Sequence, residues 1–259
     1  WIDALSESGL IETPRYYFGV DGSAIQECSI DNINGSRYLV LFHFVSGSAP
    51  EENKNLDILY EKLGRLAGTC HNHVLSWEKP DNFERLTWDI DTIFGGNALW
   101  GDWRLAPEVT KEVQDKLERV ELKIRGRLLD YGKSEKRFNL IHADMRLANL
   151  LIDQESTRLI DFDDCGFGWF MYDFASAISF IEDSPMVSYF KSSWIKGYKS
   201  VRELSVEDEN EIDTFIMLRR MALLAWIGSH IEAPEPRQLS AGFAKTTAKL
   251  GDIWLNSLE

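Results

Sequence analysis

The stretch LIHADMRLANLLIDQESTRLIDFDDCG, residues 140–166, sets a His, an Asn and several Asp beside runs of Leu, Ile and Phe. Carboxylates that close to apolar strands are costly unless a metal, a proton or a hydrogen-bond network uses them. Asn139-Leu140-Ile141 leads into His142-Ala143-Asp144. Residues 149–152 read as a strand, Gln154-Glu155-Ser156 as a turn, and Arg158-Leu159-Ile160 as a second strand, followed at once by Asp161-Phe162-Asp163-Asp164. A hairpin brings its two ends together, so Asp144, Asn149 and Asp161 are expected to converge at one edge. Two oxygen-bearing side chains near an activating carboxylate suit Mg2+, a hard cation that keeps waters and substrate phosphates in its shell. The remaining Asp can accept a proton from an attacking hydroxyl. The bland alternative, turn-forming Asx residues, does not explain the order and spacing of all three.

The elements that must hold this edge are legible on either side. Residues 16–45 read as strands: YYFGVDGSAIQ carries the turn signal Asp21-Gly22, and RYLVLFHFV (37–45) is long and apolar enough for one buried strand, ended by Gly47 and Pro50. The texture then becomes helical. Leu56, Leu59, Tyr60, Leu63, Leu66, Ala67 and Cys70 form one apolar stripe, and Val113, Leu117, Val120, Ile124 and Leu128 another. The second stripe is laced with Glu112–Lys116 and Glu121–Arg125 pairs at i,i+4. Helices are expected at about 173–182, 207–230 and 241–257, with helices only downstream of residue 165.

Bulk properties exclude several classes. A chain of 259 residues with 44% hydrophobic and 27% charged side chains is an ordinary globular composition. The net charge of −14 argues against a nucleic-acid partner. No apolar run approaches the roughly 20 residues of a membrane span, and no signal peptide opens the chain. Cys28, Cys70 and Cys165 lack metal-ligand spacing and imply no disulfide framework, hence a reducing, cytoplasmic setting. Oligomeric state is not encoded in any motif.

The pattern H-x-D-x-x-x-x-N, a strand pair, then D-F-x is the catalytic-loop and metal-loop arrangement of kinases. With Ala143 in the middle and IDFDD at the second site, the chain resembles the aminoglycoside phosphotransferase and choline kinase-like family. VLFHFVSGSAP resembles that family's hinge strand, LGRLAGTCHNH its first large-lobe helix, and GFGWFMYDFA the segment after the metal loop. The resemblance spans about residues 1–180. It implies an α+β, bilobal protein kinase-like fold. A small β-rich N-terminal lobe, truncated at its start, would occupy 1–46, and a larger, mainly helical catalytic and substrate-binding lobe 47–259.

The resemblance also implies roles. Asp144 is expected to orient or deprotonate the substrate hydroxyl, and Asn149 and Asp161 to hold Mg2+, Asp161 bridging it to the ATP phosphates. His142 is expected to hydrogen-bond beneath the loop and Asp173 to brace it. Backbone groups near His43 and Val45 would read adenine. Arg146 stands where the family often has His or Ser, and is open between neutralising the transferring phosphoryl group and simply facing solvent. Asp163 and Asp164 are open between turn cap, metal contact and substrate amine. His71 and His73, two apart, point to different helix faces and are discounted as a metal pair. Phe167, Trp169 and Phe170 are candidates for a pocket wall. Glu232 and Glu235 could meet a cation, though a solvated turn around Pro234 and Pro236 fits as well.

The implied activity is ATP-dependent transfer of the γ-phosphate to a hydroxyl of a small molecule, such as an aminoglycoside, choline or homoserine. A protein hydroxyl is also open. Two other readings compete. A D-x-D phosphatase would use Asp161 as nucleophile, but it needs alternating strands and helices and leaves His142, Asp144 and Asn149 unexplained. A kinase-like binding module without turnover is suggested by the absence of any Lys before Lys54. The intact catalytic and metal residues favour a trimmed kinase instead, opening at Trp1 within the small lobe's helix.

Overall fold

The computed structural model describes residues 1–29, 35–50, 55–153 and 156–259. The chain opens with helix α1 (Ile2–Glu7) and a two-stranded antiparallel ribbon, β1 (Gln26–Ser29) and β2 (Ser36–Leu39). A single bridge, Tyr16 to Phe42, extends this layer, and Ser48 pairs with Ile152 where the chain leaves it. The expected buried strand over 37–45 is not formed. Its regular part ends at Leu39, and Leu39, Leu41 and Phe44 are exposed, because no described element packs on that face. Asp21-Gly22 does turn the chain, with Gly22 N–H donating to Gly19 O at 2.9 Å. The paired hairpin, however, is β1–β2 further on.

Most of the core lies beyond residue 55. Helix α2 (Leu56–Ser76) follows the first stripe, and its inward residues Tyr60, Leu63, Ala67, Cys70 and Val74 are buried. Strand β3 (Leu86–Trp88), the short helix α3 (Ile90–Phe94) and helix α4 (Lys111–Tyr131) come next. Both expected i,i+4 pairs form on α4. Strand β4 (Phe138–Ile141) leads to the loop, and β5 (Leu150–Asp153) pairs antiparallel with β6 (Ser156–Leu159) as the expected hairpin. Asn149 itself sits in a 3-10 turn, Leu147–Asn149, ahead of the strand. The tip at Gln154-Glu155 lies outside the described residues.

Contrary to the helices-only expectation, a strand follows residue 165. Strand β7 (Gly166–Trp169) is the centre of a three-stranded sheet, parallel to β3 and antiparallel to β4. Two of its four residues are glycines, and the sheet requires them. A Cβ at Gly166 would lie 2.5 Å from Leu86 O, and one at Gly168 2.5 Å from Ile141 Cδ1.

Helices α5 (Tyr172–Ala177), α6 (Val187–Lys199), α7 (Val206–Ser229), α8 (Pro234–Leu239) and α9 (Phe243–Asn256) complete the fold. The expected helix over 173–182 stops at Ala177, and α6 had no forerunner in the sequence reading. Helix α7 is buried nearly all round, as a central helix must be. Helices α2 and α6 cross at glycines. A Cβ at Gly64 would stand 1.9 Å from Trp194 O, and one at Gly197 1.8 Å from Glu61 O. No described helix is long and apolar enough to cross a membrane.

Candidate active site

Strand β4 delivers His142-Ala143-Asp144 from its C-terminal end. Ala143 has φ of 64°, a left-handed conformation that a non-glycine residue holds only when its surroundings over-determine it. Asp173, on α5, is that surrounding. Its fully buried carboxylate accepts from Ala143 N–H at 2.7 Å, from His142 N–H at 3.3 Å and from His71 Nε2 at 3.0 Å. His71 comes from α2 and is met on its other nitrogen by Tyr198 OH of α6 at 2.9 Å. The glycine crossing of α2 and α6 is what lets Tyr198 reach it. Burial pushes the His71 pKa down, and the neighbouring Asp173 only partly opposes this. The imidazole is therefore neutral at pH 7, donating through Nε2 and accepting through Nδ1.

His142 ties the loop to the second half of the site. Its Nδ1 accepts from Asp144 N–H at 3.3 Å and its Nε2 donates to Ile160 O at 3.1 Å, one residue before Asp161. Phe162 packs on the ring at 4.6 Å. The hairpin base closes through Ile160 N–H donating to Asn149 O at 3.0 Å. Asp161 follows, exposed, with φ of 64°. These contacts bring the ends of the hairpin together as expected from the sequence.

Asp144 is buried and surrounded by donors. Asn149 Nδ2 donates to its Oδ2 at 2.9 Å and to its backbone carbonyl at 2.8 Å. Arg219 NH2, from α7, donates to Oδ1 at 2.9 Å. Arg146 Nε stands 3.2 Å away, with its side chain partly exposed. A cavity of about 100 Å3 opens beside this carboxylate, lined by Trp100, Phe180 and Trp226 together with Asp164, Arg219 and Glu235. Asp164 is half-buried there; burial pushes its pKa up, against the opposing pull of Arg219. Its backbone carbonyl takes the Trp88 indole N–H at 2.7 Å, which fixes the turn without using the carboxylate.

Several expectations change. Trp169 and Phe170 are core residues and Phe167 faces Phe83 edge-on, so the pocket wall comes from other aromatics. Glu235 belongs to the short helix α8, started by Pro234, and lines the cavity; Glu232 instead pairs with Arg237. His43 N–H donates to Arg15 O at 2.7 Å and its ring stacks on Tyr17 at 3.8 Å, while Val45 lies in the exposed connection beyond it. Arg219 and Tyr198 escaped the sequence reading, and His71, discounted as a metal ligand, was given no other role. The one available signal was the pair Arg219-Arg220 inside the apolar run IMLRRMALLAW.

A strand-delivered His-x-Asp, a hairpin carrying Asn and Asp at its base, and a helical majority around them define the protein kinase-like fold of small-molecule phosphotransferases. Residues 1–204 match the phosphotransferase enzyme family, and the chain belongs to that family. A microcompartment-associated aminopropanol kinase superposes with a TM-score of 0.92 at 37% identity, covering 99% of this chain and 80% of that one. An amicoumacin kinase solved with AMP-PNP and Ca2+ gives a TM-score of 0.77 at 21% identity, over 96% and 75% of the two chains. Amicoumacin kinase of Bacillus subtilis (strain 168) is 24% identical over 229 residues, 83% of this chain; the chain spans 65% of that relative's length.

Proposed function

We propose that the protein transfers the γ-phosphoryl group of ATP to the hydroxyl of a small amino alcohol. The observation that carries this reading is the Asp144 carboxylate, clamped by Asn149 and Arg219 at the wall of a cavity beside the hairpin base. Asp144 orients the acceptor hydroxyl and takes its proton. Arg146, beside it and partly exposed, offsets charge on the phosphoryl group in transit.

Asn149 and Asp161 are the residues that would hold Mg2+. Among the described residues no cluster of three His, Cys, Asp or Glu stands ready for a metal. The donor set nonetheless fits a hard cation that keeps waters and phosphates: the Asn149 amide nitrogen is turned onto Asp144, which leaves its carbonyl oxygen, and Asp161 offers an exposed carboxylate. When bound, such a cation supplies neutralisation of the phosphate charge. The adenine edge falls to the 43–45 connection. His43 N–H is taken by Arg15, so its carbonyl and the Val45 backbone carry that recognition.

The amino alcohol class is supported by the cavity. Its volume of about 100 Å3 gives room for a compact acceptor. Three aromatic rings and the Asp164 and Glu235 carboxylates suit an ammonium group. Kinship with an aminopropanol kinase points the same way. The test is ADP release by the whole protein with MgATP and aminopropanol, ethanolamine, choline, homoserine or an aminoglycoside. Small primary amino alcohols are expected to give the highest kcat/KM. ADP release that no hydroxyl compound stimulates would refute the reading.

A further inference from the structure

We infer that Arg219 is a positioning residue for the general base, holding the Asp144 carboxylate in one orientation; the inference rests on the proposed kinase reading. Helix α7 carries two consecutive buried arginines, each on a carboxylate. Arg220 donates to Glu182 at 2.6 Å and to Thr247 at 2.9 Å, closed off from the cavity. Arg219 lines the cavity and donates to Asp144 Oδ1 at 2.9 Å.

The Arg219 guanidinium is itself immobilised. Its Nε donates to Ser179 Oγ at 3.0 Å, its NH1 reaches Tyr172 OH at 3.5 Å, and its Cζ lies 5.0 Å from the Trp100 ring centre. With Arg219 on Oδ1 and Asn149 on Oδ2, both carboxylate oxygens have a fixed donor. The partly exposed Arg146, 3.2 Å away, and the cavity take the remaining side of the carboxylate. Burying an arginine is costly, and a pair made for stability alone needs no opening beside it. A planar fork aimed at a reactive carboxylate from a rigid central helix is the arrangement that precise placement requires.

Removing the guanidinium frees Asp144 Oδ1 and leaves the carboxylate held through Oδ2 by Asn149 and Arg146, and a displacement near 1 Å at a reacting group costs about 10²-fold in rate. Nucleotide groups make no contact with Arg219 in the proposed reading, so KM for MgATP is expected to stay within about threefold. The experiment compares Arg219→Ala, Arg219→Lys and Arg220→Lys in the whole protein, with kcat, KM, Tm and the response to millimolar guanidinium. Arg219→Ala is expected to lose about 10²-fold in kcat and to regain at least tenfold with guanidinium, to which the parent is indifferent. Arg220→Lys is expected to lower Tm with kcat near that of the parent. If Arg219→Ala does not fold, Arg219→Lys decides: a kcat loss of about tenfold or more, absent from Arg220→Lys, supports the inference. Parental kcat in either Arg219 variant overturns it. So does a folded, slow Arg219→Ala that guanidinium leaves unchanged. A parent protein inactive with every acceptor overturns the kinase reading and this inference together, an outcome distinct from failure of the variants alone.

Discussion

Replacing Asp173 by Asn tests whether the catalytic loop is held by a buried anion. Three donors converge on this carboxylate: Ala143 N–H on Oδ1, and His142 N–H with His71 Nε2 on Oδ2. In the Asn variant the carbonyl oxygen retains Ala143, the shortest of the three. The new amide NH2 then faces His71 and His142. His71 can adapt, because it is neutral and can swap its proton to Nδ1, donating to Tyr198 OH and accepting at Nε2. His142 N–H is backbone and cannot adapt. One buried donor without an acceptor costs about 1–3 kcal/mol, and the loss of charge on the remaining bond adds to it. The total is about 2–3 kcal/mol, which lowers Tm by roughly 4–12 °C for a chain of this size. Because this brace helps to hold Ala143 at positive φ, amide exchange at residues 142–145 should accelerate by a similar free energy. Calorimetry and hydrogen exchange on parent and variant measure both. A variant within about 1 °C of the parent, with unchanged exchange at those amides, would refute the brace.

Asp144→Asn should fold with a lowered Tm, since its amide keeps one oxygen for Arg219 and turns an NH2 toward the Asn149 amide nitrogen, while phosphoryl transfer falls by about 10²-fold or more; activity within threefold of the parent removes Asp144 as base. Gly197→Ala should destabilise by about 3 kcal/mol or more, because its new Cβ would meet backbone, Glu61 O at 1.8 Å, and only separation of α2 from α6 relieves it; chemical denaturation reads this directly. The lowered His71 pKa gives a pH signature. A folded pKa below the unfolded value near 6.5 means that protons favour the unfolded chain, so stability present above pH 6.5 is lost as pH falls below it. The groups facing His71 are Asp173, Tyr198 and Arg202; burial is the largest influence, Arg202 acts with it, and Asp173 opposes it without prevailing. His71→Gln should flatten the Tm slope between about pH 5 and 6.5. Glu182, whose raised pKa works in the opposite sense, is common to both proteins and cancels in the difference. An unchanged slope contradicts a neutral buried His71.

The hairpin site was legible because its logic is local. Residues 140–164 carry their own turn and strand signals, and pairing Leu150 with Leu159 brings Asn149 beside Ile160, next to Asp161, without help from the rest of the chain. Periodicity likewise foretold α2 and α4, whose stripes match the 3.6-residue repeat that burial on one side imposes. Strand β7 was hidden because its glycines are selected by the close approach of β3 and β4, a demand no local rule expresses. The same strand carried Trp169 into the core, so closeness in sequence to Asp161 misdirected the choice of pocket wall.

The sequence by itself determined the candidate constellation: which carboxylates, in what order, at the base of which hairpin. Tertiary structure alone decided what those carboxylates face. Arg219 lies 75 residues from Asp144, and His71 lies 102 from Asp173. Helix α7, buried on nearly every side, has no amphipathic stripe to announce which residue points at the catalytic loop. That choice is made by how α2, α6 and α7 pack, down to two glycines that let one pair of backbones meet. Long-range packing sets the angle at which a buried charge finds its partner, and a linear pattern of residues does not carry that angle.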